Sequence, residues 1–159
     1  MRFPIMITCL LLSSMLQAQV SRDTTLGRCP VFITDTVSMN NYFIEARPAT
    51  LKVYRVKGDL TVVVEQREQY FSLFFHEKSL RNTTYDIEPG SKSRGEVEST
   101  YSFKSGDQVA YINLSDGKIQ SVYDKEQKVW KLRITGMITN MTDRSLTYYR
   151  VKADLVLKK

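Results

Sequence analysis

The sequence predicts an all-β protein, an antiparallel β-sandwich of about nine or ten short strands. Three observations carry that prediction. Apolar residues recur at every second place through the last third of the chain. Turn signals interrupt the sequence about every 8–12 residues. No window of about twelve residues beyond the N-terminal segment shows a helical stripe. A lipocalin-like closed barrel is the alternative, because strand pattern alone does not fix closure.

The first element is not part of that fold. Arg2 is the only charge before Arg22, and an apolar run from Phe3 to Leu16 follows it. Leu16, Gln17, Ala18 and Gln19 come next. A short positive start, an apolar stretch and a small residue at the cut mark a secretory signal peptide. The expected cleavage follows Ala18, so residues 1–18 leave. The run is short of the roughly 20 helical residues that span a bilayer. No transmembrane segment is expected after cleavage. Residues 19–39 read as a polar lead-in, with 19–28 a tether and order beginning near Cys29 or Asn40. Residues 40–159 read as a single β-domain.

The strands then follow in order. Tyr42 to Ala46 is short and β-rich. Leu51 to Val56 alternates with a slip of one, and Lys57, Gly58 and Asp59 turn the chain. Leu60 to Glu65 is dense in β-branched residues, as a well-buried strand should be. Tyr70 to His76 puts Phe71, Leu73 and Phe75 on one face. A polar four-residue loop, Gln66 to Gln69, makes these two a hairpin. Thr83 to Ile87 is another short strand, ended by Pro89 and Gly90. In Glu96 to Phe103, Val97, Ser99, Tyr101 and Phe103 share a face. Val109 to Leu114 is a strand, and Asp116-Gly117 is a hairpin signal leading into Ile119 to Tyr123. Trp130, Leu132, Ile134, Gly136 and Ile138 alternate with Lys131, Arg133 and Thr135, a half-buried antiparallel strand whose Trp130 is expected in the core. Asn140 to Ser145 reads as a loop. Tyr149, Val151, Ala153, Leu155 and Leu157 close the chain in the same alternation.

Charge and cysteines narrow the class. The chain carries 23 Lys+Arg against 17 Asp+Glu, and Arg2 is lost with the signal. The basic excess could favour anionic partners. Both signs are interspersed, so the charge reads mainly as a solvated surface. No nucleic-acid signature or phosphate loop is present. Cys9 leaves with the signal and Cys29 stands alone, which removes an intrachain disulfide framework. Cys29 is a buried small hydrophobe or an intermolecular link.

The ordered set of Gly58 to Val62, Thr84 to Ile87, Tyr111 to Gly117, Trp130 to Gly136 and the closing Tyr149 to Leu157 resembles small exported β-proteins of Bacteroidota. Many of those are lipoproteins, grouped as domains of unknown function. This chain departs from them in lacking a good lipobox. The resemblance implies a sandwich-like fold in the periplasm or at the outer surface, and no activity. Asp23-Thr24-Thr25 and Asp35-Thr36-Val37 resemble O-glycosylation sites of that phylum. Sequons at Asn82, Asn113 and Asn140 would instead suit a eukaryotic secreted glycoprotein.

Chemistry has few places to reside. His76 is the only histidine, so a His-based metal site is not expected. It lacks a nucleophile-elbow partner and reads as a polar strand end. Glu96 and Glu98 share a strand face, which a carboxylate pair would need, but they read as solubilising charges. No catalytic residue, cofactor or metal is expected. The nine Tyr, seven Phe and one Trp are richer. Tyr101, Tyr111, Tyr123 and Tyr148, with Tyr149, fall near strand ends and could stack on a sugar or pack on a partner. The expectation is an exported, non-enzymatic binding protein of the cell envelope, periplasmic, outer-surface or extracellular, with a glycan or envelope protein as partner. A lipocalin-like carrier of a small apolar ligand and a periplasmic immunity or inhibitor protein are the alternatives.

Overall fold

The computed structural model describes residues 22–43, 46–142 and 145–158. Residues 1–18, expected from the sequence to be a signal, lie outside them, as do Ile44 and Glu45. Eleven strands make up the architecture of the described residues. They are β1 (Arg22–Leu26), β2 (Val31–Asp35), β3 (Ala49–Val56), β4 (Asp59–Gln66), β5 (Gln69–Phe75) and β6 (Thr83–Ile87). β7 (Glu96–Ser105), β8 (Gln108–Asn113), β9 (Asp116–Asp124), β10 (Val129–Thr142) and β11 (Ser145–Lys158) complete it.

All eleven belong to one sheet. The path is β1-β3-β4-β5-β7-β6-β9-β10-β11-β2, with β8 attached to β7. Neighbours run antiparallel except β6 and β7, which touch in parallel over two residue pairs, Asp86 with Glu96 and Ile87 with Val97. That short contact joins two halves, β1-β3-β4-β5-β7 and β6-β9-β10-β11-β2. The sheet curls so that both halves give side chains to one core. The result is all-β, a sandwich or half-barrel. Among the described residues the path begins at β1 and stops at β2, so it does not close as a lipocalin-like barrel would.

The core follows from the alternation. Val62 and Val64 from β4, and Phe71, Leu73 and Phe75 from β5, are fully buried. They meet Leu132, Ile134 and Ile138 of β10 and Val151, Leu155 and Leu157 of β11 in a single cluster. Each such side chain contributes about 1.5–3 kcal/mol by leaving water. Lys57 (φ 53°) and Gly58 (φ 95°) both take positive φ between β3 and β4. That pair of angles is the two-residue turn whose twist suits a hairpin.

Three expectations need correction. Residues 22–26 are a strand, not a tether, and pair with β3 from Arg22 opposite Val53 to Leu26 opposite Ala49. Of the strand expected from Tyr42 to Ala46, the described residues Tyr42, Phe43 and Ala46 are not strand, and Ile44 and Glu45 lie outside the described residues. Around Tyr42 the chain folds back on β2: the Asn41 side chain accepts from the Ile33 amide at 3.0 Å, and the Tyr42 amide donates to the Ile33 carbonyl at 3.0 Å. The loop expected at Asn140 to Ser145 is mostly strand, because β10 and β11 stay paired up to Thr142 opposite Ser145.

The fourth correction concerns Asp116-Gly117, which is no hairpin turn. β8 pairs with β7, whereas β9 pairs with β6 and β10. Between them the chain crosses from one half to the other. The Leu114 amide donates to the Ser99 carbonyl of β7 at 2.9 Å, and the Ser115 amide to the Met137 carbonyl of β10 at 3.0 Å. Leu114 itself is fully buried. The glycine serves this crossing. A Cβ on Gly117 would stand 2.4 Å from the Thr135 carbonyl oxygen, and one on Gly136 would stand 2.8 Å from the Asp116 carbonyl oxygen and 3.0 Å from Leu114 Cδ2. Gly117 and Gly136 face each other in the β9–β10 register. Their missing side chains make the room that Leu114 fills.

Candidate functional site

One end of the curled sheet is left open as a cleft of about 500 Å³, a size within the range of small-molecule sites. Its walls come from both halves: the ends of β1, β3 and β4 on one side, and β10 and β11 on the other. The loop after β5 supplies Lys78, Ser79 and Leu80. The apolar floor is Val53, Leu60, Leu80, Trp130 and Leu157. These follow from the strand pattern, since Leu60 and Leu157 are the last inward residues of their strands at this end. Trp130, expected in the core, is half-buried at the core's margin and lines the cleft, its ring 5.1 Å from that of Tyr123.

The rim has one sign of charge. Arg22, Arg55, Lys78 and Lys158 line the cleft, and among the described residues no acidic one does. Arg55 is partly occupied, for its guanidinium donates to the carbonyls of Lys78 and, at 3.5 Å, Gly58. It ties the loop to β3. Lys78 and Lys158 are exposed.

A polar cluster holds the loop in place. Tyr85 of β6 is fully buried, hydroxyl included. The hydroxyl donates to Glu77 Oε1 and accepts from the Arg81 amide at 3.0 Å. Arg81 Nε donates to Glu77 Oε2 at 2.8 Å, and its guanidinium lies 5.9 Å from the Tyr85 ring centre. Burial first, and then the bond to Glu77, push the Tyr85 phenol up to about 12. The three residues clamp both ends of the Glu77–Arg81 loop that walls the cleft.

The residues singled out from sequence sit elsewhere. Tyr101 is only 4% exposed and packs on Phe43 and Phe103 at 5.7 and 5.4 Å. It is core, so it offers no stacking face to a ligand. Burial raises its phenol to about 12. Tyr111 is 72% exposed on β8. Tyr148 is exposed on β11, with its carbonyl accepting from Thr36. Tyr123 is half-buried on β9 and contributes to the site only by supporting Trp130. Tyr149 meets Tyr42 edge-on at 5.3 Å, far along β11 from Leu157. Four strands thus carry the four tyrosines, with no common binding face built from them.

His76 lies at the strand end as expected, with Nε2 3.7 Å from Glu98 Oε1. Glu96 instead accepts from the Ser91 hydroxyl. Among the described residues, no group of three or more His, Cys, Asp or Glu could hold a metal ion. Cys29 is buried and free, and burial raises its thiol above the ordinary value. No helix among them is long and apolar enough to cross a membrane. Compared with models of protein families, with curated proteins and with solved structures, the chain matches none.

Proposed function

We propose that this chain is an exported, non-enzymatic binding protein, and that its ligand occupies the cleft between the two halves of the sheet. The observation that carries the reading is the cleft itself. It has an apolar floor, an aromatic edge and a rim of fixed charge, the usual make-up of a small-molecule site. Its walls are held by the strand ladders and by the Glu77–Tyr85–Arg81 clamp, so the site is pre-formed. Export rests on the N-terminal segment read from sequence.

The test is a thermal-shift screen of the purified protein against fatty acids, glycans and peptidoglycan fragments, with tryptophan emission read in parallel. Trp130 is the only tryptophan, so its emission reports on the cleft. A ligand at about 100 times its Kd adds about 2.7 kcal/mol to stability. A compound that raises Tm and moves the emission supports the reading. A compound that raises Tm with the emission unmoved places the ligand elsewhere and overturns the cleft. Silence across the panel overturns small-molecule binding and turns the search to protein partners.

A further inference from the structure

Floor and rim of the cleft differ in chemistry, and together they define a ligand narrower than "small molecule". The floor is deep and apolar, for Leu60, Leu80 and Leu157 are all buried and stand beside Trp130. Among the described residues that line the cleft, Tyr54 and Ser79 are the uncharged polar side chains, few for the patterned donors and acceptors a sugar would need. Charge is confined to the rim, where it is entirely positive. Cations on a low-dielectric wall concentrate a field that an anion lowers and a cation raises.

Resting on the cleft as the ligand site, we infer that the ligand is an amphiphilic anion, with an apolar tail on the Leu60–Leu80–Trp130–Leu157 floor and an acidic head at the rim. Lys78 and Lys158 hold the head. Both are compact charges on flexible stems, suited to a head group of either carboxylate or phosphate type. Arg55 keeps the loop carbonyls in place beneath it. The tail accounts for affinity through burial, and the head accounts for selection of an anion over its neutral analogue.

The experiment titrates the purified protein with dodecanoate, dodecyl phosphate, 1-dodecanol and dodecyltrimethylammonium, the ionic probes below their micelle concentrations and the alcohol below its solubility limit, and follows Trp130 emission. The two anions are expected to saturate at one per chain. The alcohol and the cation should bind at least tenfold more weakly. The Lys78→Glu, Lys158→Glu double variant should lose at least tenfold in affinity for the anions and leave the alcohol unchanged, with Tm retained because both side chains are exposed. Which anion binds more tightly separates a carboxylate head from a phosphate head. An alcohol or cation that binds as well as the anions overturns the inference and leaves the cleft as a site. So does an anion affinity that survives the charge reversal. If no alkyl probe moves Trp130 while a glycan does, the inference falls and the binding reading stands. If nothing moves it, both fall.

Discussion

Replacing Tyr85 by Phe removes one oxygen atom from the clamp behind the cleft and leaves the ring where it was. The ring stays packed because its edge-on contact with Phe75, at 5.2 Å, needs no hydroxyl. Two hydrogen bonds go. The first is the hydroxyl's donation to Glu77, whose side chain is only 10% exposed. A hydrogen bond to a charged group contributes about 1.5–3 kcal/mol. The second is its acceptance from the Arg81 amide at 3.0 Å, a neutral bond of about 0.5–1.5 kcal/mol. The expected loss is therefore about 3 kcal/mol, or roughly 10 °C in Tm for a domain of this size. Urea unfolding of the parent, Tyr85→Phe, Glu77→Gln and the double variant measures both the total and the coupling. The coupling should reach about 1 kcal/mol or more, because the two side chains touch. A Tyr85→Phe variant within about 0.5 kcal/mol of the parent would refute the clamp. So would additive single effects.

Three other outcomes follow from the same geometry. Gly136→Ala should cost about 3 kcal/mol by urea unfolding, the upper end for an overpacked core, because the obstructing atom is a backbone oxygen; a neutral substitution would mean that β9 and β10 do not press together at this point. Ser121 is 1% exposed and its hydroxyl has no hydrogen-bond partner among the described residues, so Ser121→Ala should hold or raise stability, by up to about 1 kcal/mol, and a clear loss would reveal a hidden partner. Tyr42, Tyr85 and Tyr101 are each pushed up to about 12, Tyr42 chiefly by its hydrogen bond with Tyr149 and the other two by burial. Their neutral forms are favoured by folding, so this stability is complete below the ordinary phenol value near 10 and is lost as pH rises from 10 to 12. The urea midpoint should fall across that window, and Tyr101→Phe should shallow the fall.

What the sequence shows of the fold, and what it hides, divides along physical lines. β10 and β11 are legible because one face is buried and the other wet, which writes period two into the chain. β1 is illegible for the converse reason: Arg22, Asp23 and Thr25 are exposed, and an edge strand with little burial on either face leaves no pattern. Gly117 misleads because glycine has two uses, turning and close approach, and only the neighbour across the register tells them apart. Tyr101 is legible as core, for it shares a face with Val97 and Phe103; an aromatic ring near a strand end suits a binding face equally well, and only burial separates the two. The cleft is the least legible feature. Lys78, Trp130 and Lys158 come from distant parts of the chain, and each taken alone reads as an ordinary solvated lysine or core tryptophan. Only the curl of the sheet gathers them.

The pairing of β2 with β11 sets a schedule as well as a shape. Val31 lies opposite Ala153, and Asp35 opposite Tyr149. The second strand to leave the ribosome therefore finds its partner only when the last one arrives. At roughly 5–20 residues per second, Val31 and Ile33 wait on the order of ten seconds without the sheet that buries them. Contacts so distant in sequence also form slowly once the chain is whole. A truncation that removes β11 would leave β2 without the sheet strand it joins.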